Sequence, residues 1–224
     1  MKVFRAIIFL NSKNARKFLD IKAWDQISLT SLHEAQFYKI FIANGGIRHF
    51  PKYLIRYSKE LIWVGDQDSA TKYISKLEQI NKKIVLKPDK DISDYGAILQ
   101  YIQKHESKQY DSFLVEVIGG IGGDFAHEFA NIFESCFFIK QINKPIIFVF
   151  HNKYLLFNTF VELKLNIGQC FSIFSLNHSS LKIMIKGARY KGNLIISRPS
   201  HGLHNICIQK TVQLLPKSPS LVIV

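Results

Sequence analysis

The chain has 224 residues, 47% of them hydrophobic, which is enough for one large domain or two modest ones with a sizeable core. Its three cysteines, Cys136, Cys170 and Cys207, are widely spaced and odd in number, which argues against a disulfide framework or a zinc site and for a reducing compartment. The net charge of +13 is uneven: from residue 135 onward there are 11 Lys/Arg and one acid, Glu162, against 19 and 16 before it. The basic residues are scattered rather than clustered, which argues against nucleic acid as the partner. The apolar run Ala6 to Leu10 is too short and too early for a signal peptide, and no stretch approaches a membrane span, so the expectation is a soluble cytoplasmic protein.

Val3 to Leu10 reads as a buried strand, followed by a turn or N-cap at Asn11-Ser12 and a short helix from Lys13 to Leu19. Phe37 to Ala43 is a second strand, ending at Asn44-Gly45-Gly46, and Ile47 to Tyr57 reads as helical despite Pro51. Leu61 to Val64 is a third strand, and a periodic run from Ala70 to Ile80 follows it. Lys83 to Leu86 is a fourth strand, leading to a helix from about Ser93 to His105. Phe113 to Ile118 is a fifth, leading to a helix near Phe125 to Ile139, and Pro145 to Phe150 is a sixth. Strands that are apolar throughout and alternate with helices predict a mostly parallel, Rossmann-like sheet with helices on both faces. After residue 150 helical periodicity fades. Short runs at 154–157, 170–176, 181–185, 193–196, 206–210 and 221–224, separated by Asn, Gly, Ser and Pro, predict an antiparallel β-sandwich. The expected division is therefore 1–150, an α/β part, and 151–224, a β part.

Candidate functional residues fall at the carboxyl ends of the predicted strands, where open α/β sheets bind ligands. In Trp63 to Ser69 (WVGDQDS) a strand delivers Asp66 and Asp68, two residues apart and on one side if the chain is still extended. Two carboxylates facing a helix start suit Mg²⁺ with substrate phosphate, though an acidic turn without an ion has the same pattern. Asn44-Gly45-Gly46 permits close backbone approach to a nucleotide, or is simply a tight turn. Lys87 to Leu99 carries Lys90, Asp91 and Asp94, with Ser93 as a helix cap. Asp94 is either a third metal carboxylate or a complement to the helix dipole. Gly119 to Glu134 puts four glycines before a helix, a composition that suits phosphate cradling by backbone N–H groups, and His127 and Asn131 share a helix face. In the basic β part Tyr190 could stack on a flat cationic ring and Asn205 could hydrogen-bond it.

Taken in order, NGG (44–46), GDQDS (65–69), KDISD (90–94), GGDFAH (122–127), GARY (187–190) and GLHN (202–205) resemble the motifs of the thiamine pyrophosphokinase family, over nearly the whole chain. The resemblance implies a Mg²⁺-dependent homodimer that moves the pyrophosphoryl group of ATP onto thiamine, giving thiamine diphosphate and AMP. By carry-over, Asp66, Asp68 and Asp94 hold the metal, and His127 joins them in the catalytic set. Asn44, Gly45, Gly46, Lys90, Asp91, Ser93, Gly122 and Gly123 form the nucleotide site, and Tyr190, His204 and Asn205 meet thiamine. The partners implied are small molecules and a second copy, with neither nucleic acid nor membrane. The chain departs from the pattern at four places. The family's DGG aspartate is Asn44, its GGR arginine is Asp124, the aspartate before its histidine is Ala126, and the serine before its last asparagine is His204. Two alternatives stay open: a related pyrophosphokinase with another acceptor, such as a hydroxymethylpterin, and a non-catalytic thiamine or nucleotide binder.

Overall fold

A computed structural model describes residues 1–11, 38–66, 73, 80–89, 91–150, 153–177 and 180–224. Parallel strands β1 (Val3–Phe9), β2 (Tyr38–Ala43), β3 (Ser58–Gly65), β4 (Lys82–Val85), β5 (Ser112–Ile118) and β6 (Ile146–Phe150) stand in the order 4-3-2-1-5-6. Apart from β4, a largely exposed edge strand, they contain the apolar runs of the sequence, and their alternate residues feed cores on opposite faces of the sheet. Phe4, Ala6 and Ile8 of β1 enter one core, and Ile7 and Phe9 the other. Burying each such side chain contributes roughly 1.5–3 kcal/mol, which is why strands covered on both faces show no polar alternation.

Helices α1 (Asp94–Glu106) and α2 (Phe125–Ile142) lie on one face of this sheet. Tyr95, Ile98, Leu99 and Ile102 of α1 and Cys136, Phe138 and Ile139 of α2 are buried in a shared core. The Tyr95 hydroxyl and Ser135 Oγ, 2.6 Å apart, tie the two helices together. Ser93 caps α1, its Oγ accepting from Gly96 N at 3.0 Å, a contact worth about 1 kcal/mol. The α2 helix ends at Asn143 in the left-handed conformation, φ 50°. Among the described residues, both α-helices are on this face. The opposite face is covered near β2 and β3 by two 3₁₀ turns, Asn44–Arg48 and Lys52–Tyr57. These replace the helix expected over residues 47–57. Pro51 has no N–H to donate and disfavours helical backbone in the residue before it, so the turn stops and restarts.

Beyond β6 the same sheet continues with antiparallel strands β7 (Tyr154–Phe157), β14 (Ser220–Ile223), β9 (Cys170–Ser175) and the two-residue β12 (Asn205–Ile206). Strands from both sides of residue 150 thus share one ten-stranded sheet. A separate antiparallel sheet, in the order β11 (Gly192–Ile196), β10 (Leu181–Lys186), β13 (Thr211–Pro216), β8 (Val161–Lys164), packs on the face away from the α-helices. Val161, Leu163, Ile183, Ile185, Val212 and Leu214 of this sheet share a core with Leu114, Ile147, Val149, Leu155, Phe157 and Val222 of the large one. The run expected over residues 206–210 contributes only its first residue to a strand, while β8 and β13 were not anticipated.

The outward side of α2 carries Phe125, Phe129, Phe133 and Phe137, each four residues from the next. They are 72, 48, 61 and 59% exposed, with neighbouring centroids 4.7 and 5.8 Å apart over the first three. Among the described residues, no helix is long and apolar enough to cross a membrane. The helix expected at Lys13–Leu19 lies outside the described residues, as does nearly all of the run Ala70–Ile80.

Candidate functional site

From β1 the strand order runs outward through β2, β3 and β4 on one side and through β5 and β6 on the other. The reversal between β1 and β5 leaves a crevice beyond their carboxyl ends. Strands β1, β2, β3 and β5 deliver Leu10-Asn11, Ala43 to Gly45, Asp66 and Gly119-Gly120 to it, and the first turns of α1 and α2 face the same space. Together they line a cleft of about 470 Å³.

Two glycines allow this convergence. A Cβ on Gly46 would stand 2.4 Å from the carbonyl oxygen of Phe9, and one on Gly65 2.6 Å from the Cβ of Asn44. Strand ends β1, β2 and β3 therefore approach more closely than any side chain there permits. Their approach buries Asn44, 5% exposed, and aims its Nδ2 at Asp66 Oδ1, 2.7 Å away. Asp66, half-buried, is thus held by a neutral donor from the adjacent strand. Asp94, also half-buried, is fixed by the Ser93 cap in the first turn of α1.

At the start of α2 the glycine-rich loop turns through Gly119, φ 81°, and Gly122, φ 88°, conformations that favour glycine. The N–H groups of Gly122 and Gly123 both donate to Glu128 Oε1, at 2.7 Å each. Asp124 caps the helix, accepting from Ala126 N at 3.0 Å and His127 N at 3.1 Å. Asp124, which the motif resemblance sets against an arginine, is therefore a helix cap in this chain. Asn131 donates through Nδ2 to the Gly120 carbonyl at 2.9 Å and pins the loop to the helix, while His127, on the same helix face, is exposed.

The described residues that line the cleft include four carboxylates, Asp66, Asp94, Asp124 and Glu128, one histidine, and no lysine or arginine. Tyr95 forms part of its floor. Burial pushes the Tyr95 hydroxyl well above the usual tyrosine range, its bond to Ser135 only partly offsetting this, so it stays protonated at physiological pH. Among the described residues, no three His, Cys, Asp or Glu side chains converge as a ready-made metal site.

The overall architecture matches solved structures closely enough to compare along nearly the whole chain. A thiamin pyrophosphokinase family protein from Enterococcus faecalis superposes with a TM-score of 0.64 at 15% identity, covering 98% of this chain and 98% of its own. Thiamine pyrophosphokinase from Bacillus subtilis gives 0.62 at 15%, covering 99% and 97%. The yeast enzyme gives 0.62 at 13%, covering 99% and 85%. The chain has the thiamine pyrophosphokinase fold. No protein-family model and no curated protein matches the sequence.

Within the thiamine pyrophosphokinase fold, the candidates named from sequence divide into three sets. Asn44, Gly45, Asp66, Ser93, Asp94, Gly123 and His127 line the one cleft. Gly46, Asp91 and Gly122 are near it in sequence but do not line it, and Asp68 and Lys90 lie outside the described residues. Tyr190, His204 and Asn205 stand apart, in the β part. Asn205 is buried, and its amide brackets one residue. Oδ1 accepts from Tyr190 N at 3.0 Å and from Ile206 N at 2.9 Å, and Nδ2 donates to the Tyr190 carbonyl at 2.9 Å. The bracket presents the Tyr190 ring, 62% exposed, to solvent. His204 adopts φ 52° beside it. Residues that sequence reasoning passed over are Asn11, whose side chain sits against Gly45, and Glu128.

Proposed function

We propose that the protein is an ATP-dependent pyrophosphokinase that transfers the pyrophosphoryl group of ATP to thiamine, giving thiamine diphosphate and AMP. The observation that carries this reading is one cleft at the reversal point of the sheet. Asp66 and Asp94 reach it from a strand end and a capped helix start, in a fold shared with thiamine pyrophosphokinases over nearly its full length.

The donor set fits Mg²⁺. Asp66 and Asp94 offer hard carboxylate oxygens in a common cleft, and Asp68 joins them by resemblance. Mg²⁺ needs only one or two carboxylates when water and substrate phosphates complete the shell. When bound, it would neutralise charge on the phosphoryl oxygens of the transferred group. The chain's own residues would orient the reactants. Asn44 holds the Asp66 carboxylate by its 2.7 Å bond, the Ser93 cap holds the first turn that carries Asp94, and Asn131 fixes the glycine loop that floors the phosphates. In this reaction positioning accounts for most of the rate. We assign residues 1–150 to nucleotide and metal and 151–224 to thiamine and dimer contacts, with Tyr190, on its Asn205 bracket, as the stacking surface. Since Tyr190 does not line the cleft of its own chain, the reading places thiamine between two copies. The exposed phenylalanine row that starts beside Asp124 supports such an interface. The odd number and wide spacing of Cys136, Cys170 and Cys207 suit a reducing, cytoplasmic setting.

The test is AMP formation from ATP and Mg²⁺ with and without thiamine, with Asp66→Ala as the control. Thiamine-dependent AMP that Asp66→Ala loses while staying folded supports the reading; AMP formation indifferent to thiamine or to Asp66 overturns it. A second reading, a non-catalytic thiamine or nucleotide binder, is favoured by the four carboxylates and lack of Lys or Arg in the described lining. It requires ligand binding with no AMP at any enzyme concentration.

A further inference from the structure

We infer that Glu128 gates the cleft against phosphate: its carboxylate occupies the pair of backbone N–H groups that a phosphoryl oxygen would otherwise take. The inference rests on the reading of the cleft as a polyphosphate site. Gly122 and Gly123 point consecutive N–H groups at one atom, Glu128 Oε1, at 2.7 Å each. Paired backbone donors of this kind, in a loop set by a glycine at φ 88° and leading into a helix, form a concavity for an anion. In this chain the anion is internal, supplied from the first turns of α2. Glu128 and Gly123 line the cleft with Asp66 and Asp94, with Gly122 directly before Gly123 in the chain, so the plug and one of its two donors border the space that a substrate would enter.

The contact does two things to an incoming polyphosphate. It withdraws two donors, and it adds a negative charge beside Asp124 to a lining with no lysine or arginine among the described residues. Entry requires the Glu128 side chain to rotate away, and apparent affinity falls by the fraction of time in which it has done so. A plug in place nine times in ten costs about tenfold in apparent affinity. Glu128 is accordingly a specificity-determining residue. It penalises ligands that bring a weakly charged or singly bound phosphate and admits those whose metal-bound polyphosphate outcompetes a carboxylate.

The probe is inorganic pyrophosphate in Mg²⁺ buffer, titrated by calorimetry into the full chain, with the Gly122 and Gly123 amide resonances followed in ¹⁵N-glycine-labelled protein. Glu128→Ala is expected to bind pyrophosphate at least tenfold more tightly than the unsubstituted protein, with both glycine amides shifting on binding. Glu128→Gln keeps an acceptor of the same shape but without charge. Neutral acceptors hold N–H groups about half as strongly, so its affinity should fall between the two. Equal or weaker binding by Glu128→Ala, in protein that unfolds at the normal temperature, overturns the inference. So does tighter binding with unmoved glycine amides. If Glu128→Ala lowers the unfolding temperature, Glu128→Gln decides, since it retains the loop contact; no gain in that variant is equally fatal. Thiamine-dependent AMP formation is scored separately. AMP without a gain in either variant leaves the reaction standing and removes the gate, and a gain without AMP does the reverse.

Discussion

Asn44→Asp returns the acidic residue of the family pattern to the chain and should destabilise it in a pH-dependent way. In the structure Asn44 Nδ2 donates to Asp66 Oδ1 at 2.7 Å, and Asn44 is buried. The substitution removes the donor and sets two carboxylates against each other at that distance. At an effective dielectric of about 20, two unit charges so placed repel by roughly 6 kcal/mol. That exceeds the cost of protonating one of them near neutrality, so the pair is expected to share a proton and titrate as a unit. The folded pair then binds a proton that the unfolded chain releases above about pH 4, at roughly 1.4 kcal/mol per pH unit. Allowing for relaxation and the partial exposure of Asp66, the expected loss is about 3 kcal/mol at pH 7.5 and about 1 kcal/mol at pH 5. In a chain of this length that is roughly 6–12 °C and 2–4 °C in unfolding temperature. The assay is thermal unfolding in EDTA at both pH values, repeated with millimolar Mg²⁺. Equal losses at pH 5 and pH 7.5 would refute the Asn44–Asp66 contact. Failure of Mg²⁺ to restore the loss at pH 7.5 would refute the metal reading of Asp66.

Other substitutions test separate parts of the molecule. Burial pushes the Glu116 carboxyl up to about 8, against the opposing pull of Arg5, so the folded state holds a proton that the unfolded chain gives up. The associated stability is complete below about pH 4.5 and is lost as pH rises through about 8; Glu116→Gln should therefore flatten a decline of roughly 1 kcal/mol per pH unit between pH 5 and 8 in urea unfolding, and an unchanged slope would sink the assignment. Asn205→Ala deletes three hydrogen bonds, two of which bracket Tyr190, and should cost about 2–4 kcal/mol by the same method, whereas a loss under about 0.5 kcal/mol would mean that the bracket holds nothing. Phe133→Lys, on the exposed row of α2, should weaken self-association in sedimentation at least 100-fold without changing the unfolding of the separated chain by more than about 1 kcal/mol; undiminished association would exclude the row from the interface.

The parallel strands were legible because a strand covered on both faces must be mostly apolar, and β1, β2, β3, β5 and β6 each carry a run of buried apolar residues, broken only by Arg5, Lys39, Glu116 and the first residues of β3 and β5. Ser93 was legible as a cap because a hydroxyl before a periodic run has one common use. Short outer strands left a weaker trace. In β8 the residues Val161-Glu162-Leu163-Lys164 alternate as a half-exposed strand should, but four residues do not stand out from a loop. The pairing of β14 with β7 and β9, which extends the large sheet beyond residue 150, joins partners far apart in the chain and left no local signal. In the cleft, Asp66 and Asp94 followed from the rule that ligands gather at strand ends. Asp124 was read as a missing arginine, although an aspartate directly before a helical run is also an N-cap signal, and capping is what it does. Glu128 was not legible. A glutamate early in a helix reads as a dipole complement, and its reach back to Gly122 and Gly123 depends on a backbone turn that sequence does not display.

The position of β14 has a consequence for when the molecule can fold. Ser220–Ile223 lies between β7 and β9, hydrogen-bonded to both. On a ribosome β7, β9 and β12 emerge well before it, yet β9 and β12 have no place in the large sheet until β14 arrives. The parallel half with β7, and the second sheet, whose strands all precede residue 217, can assemble before β14 has emerged, but β9 and β12 cannot join the large sheet. Those two strands wait with apolar faces uncovered, the state in which nascent chains aggregate or need a chaperone.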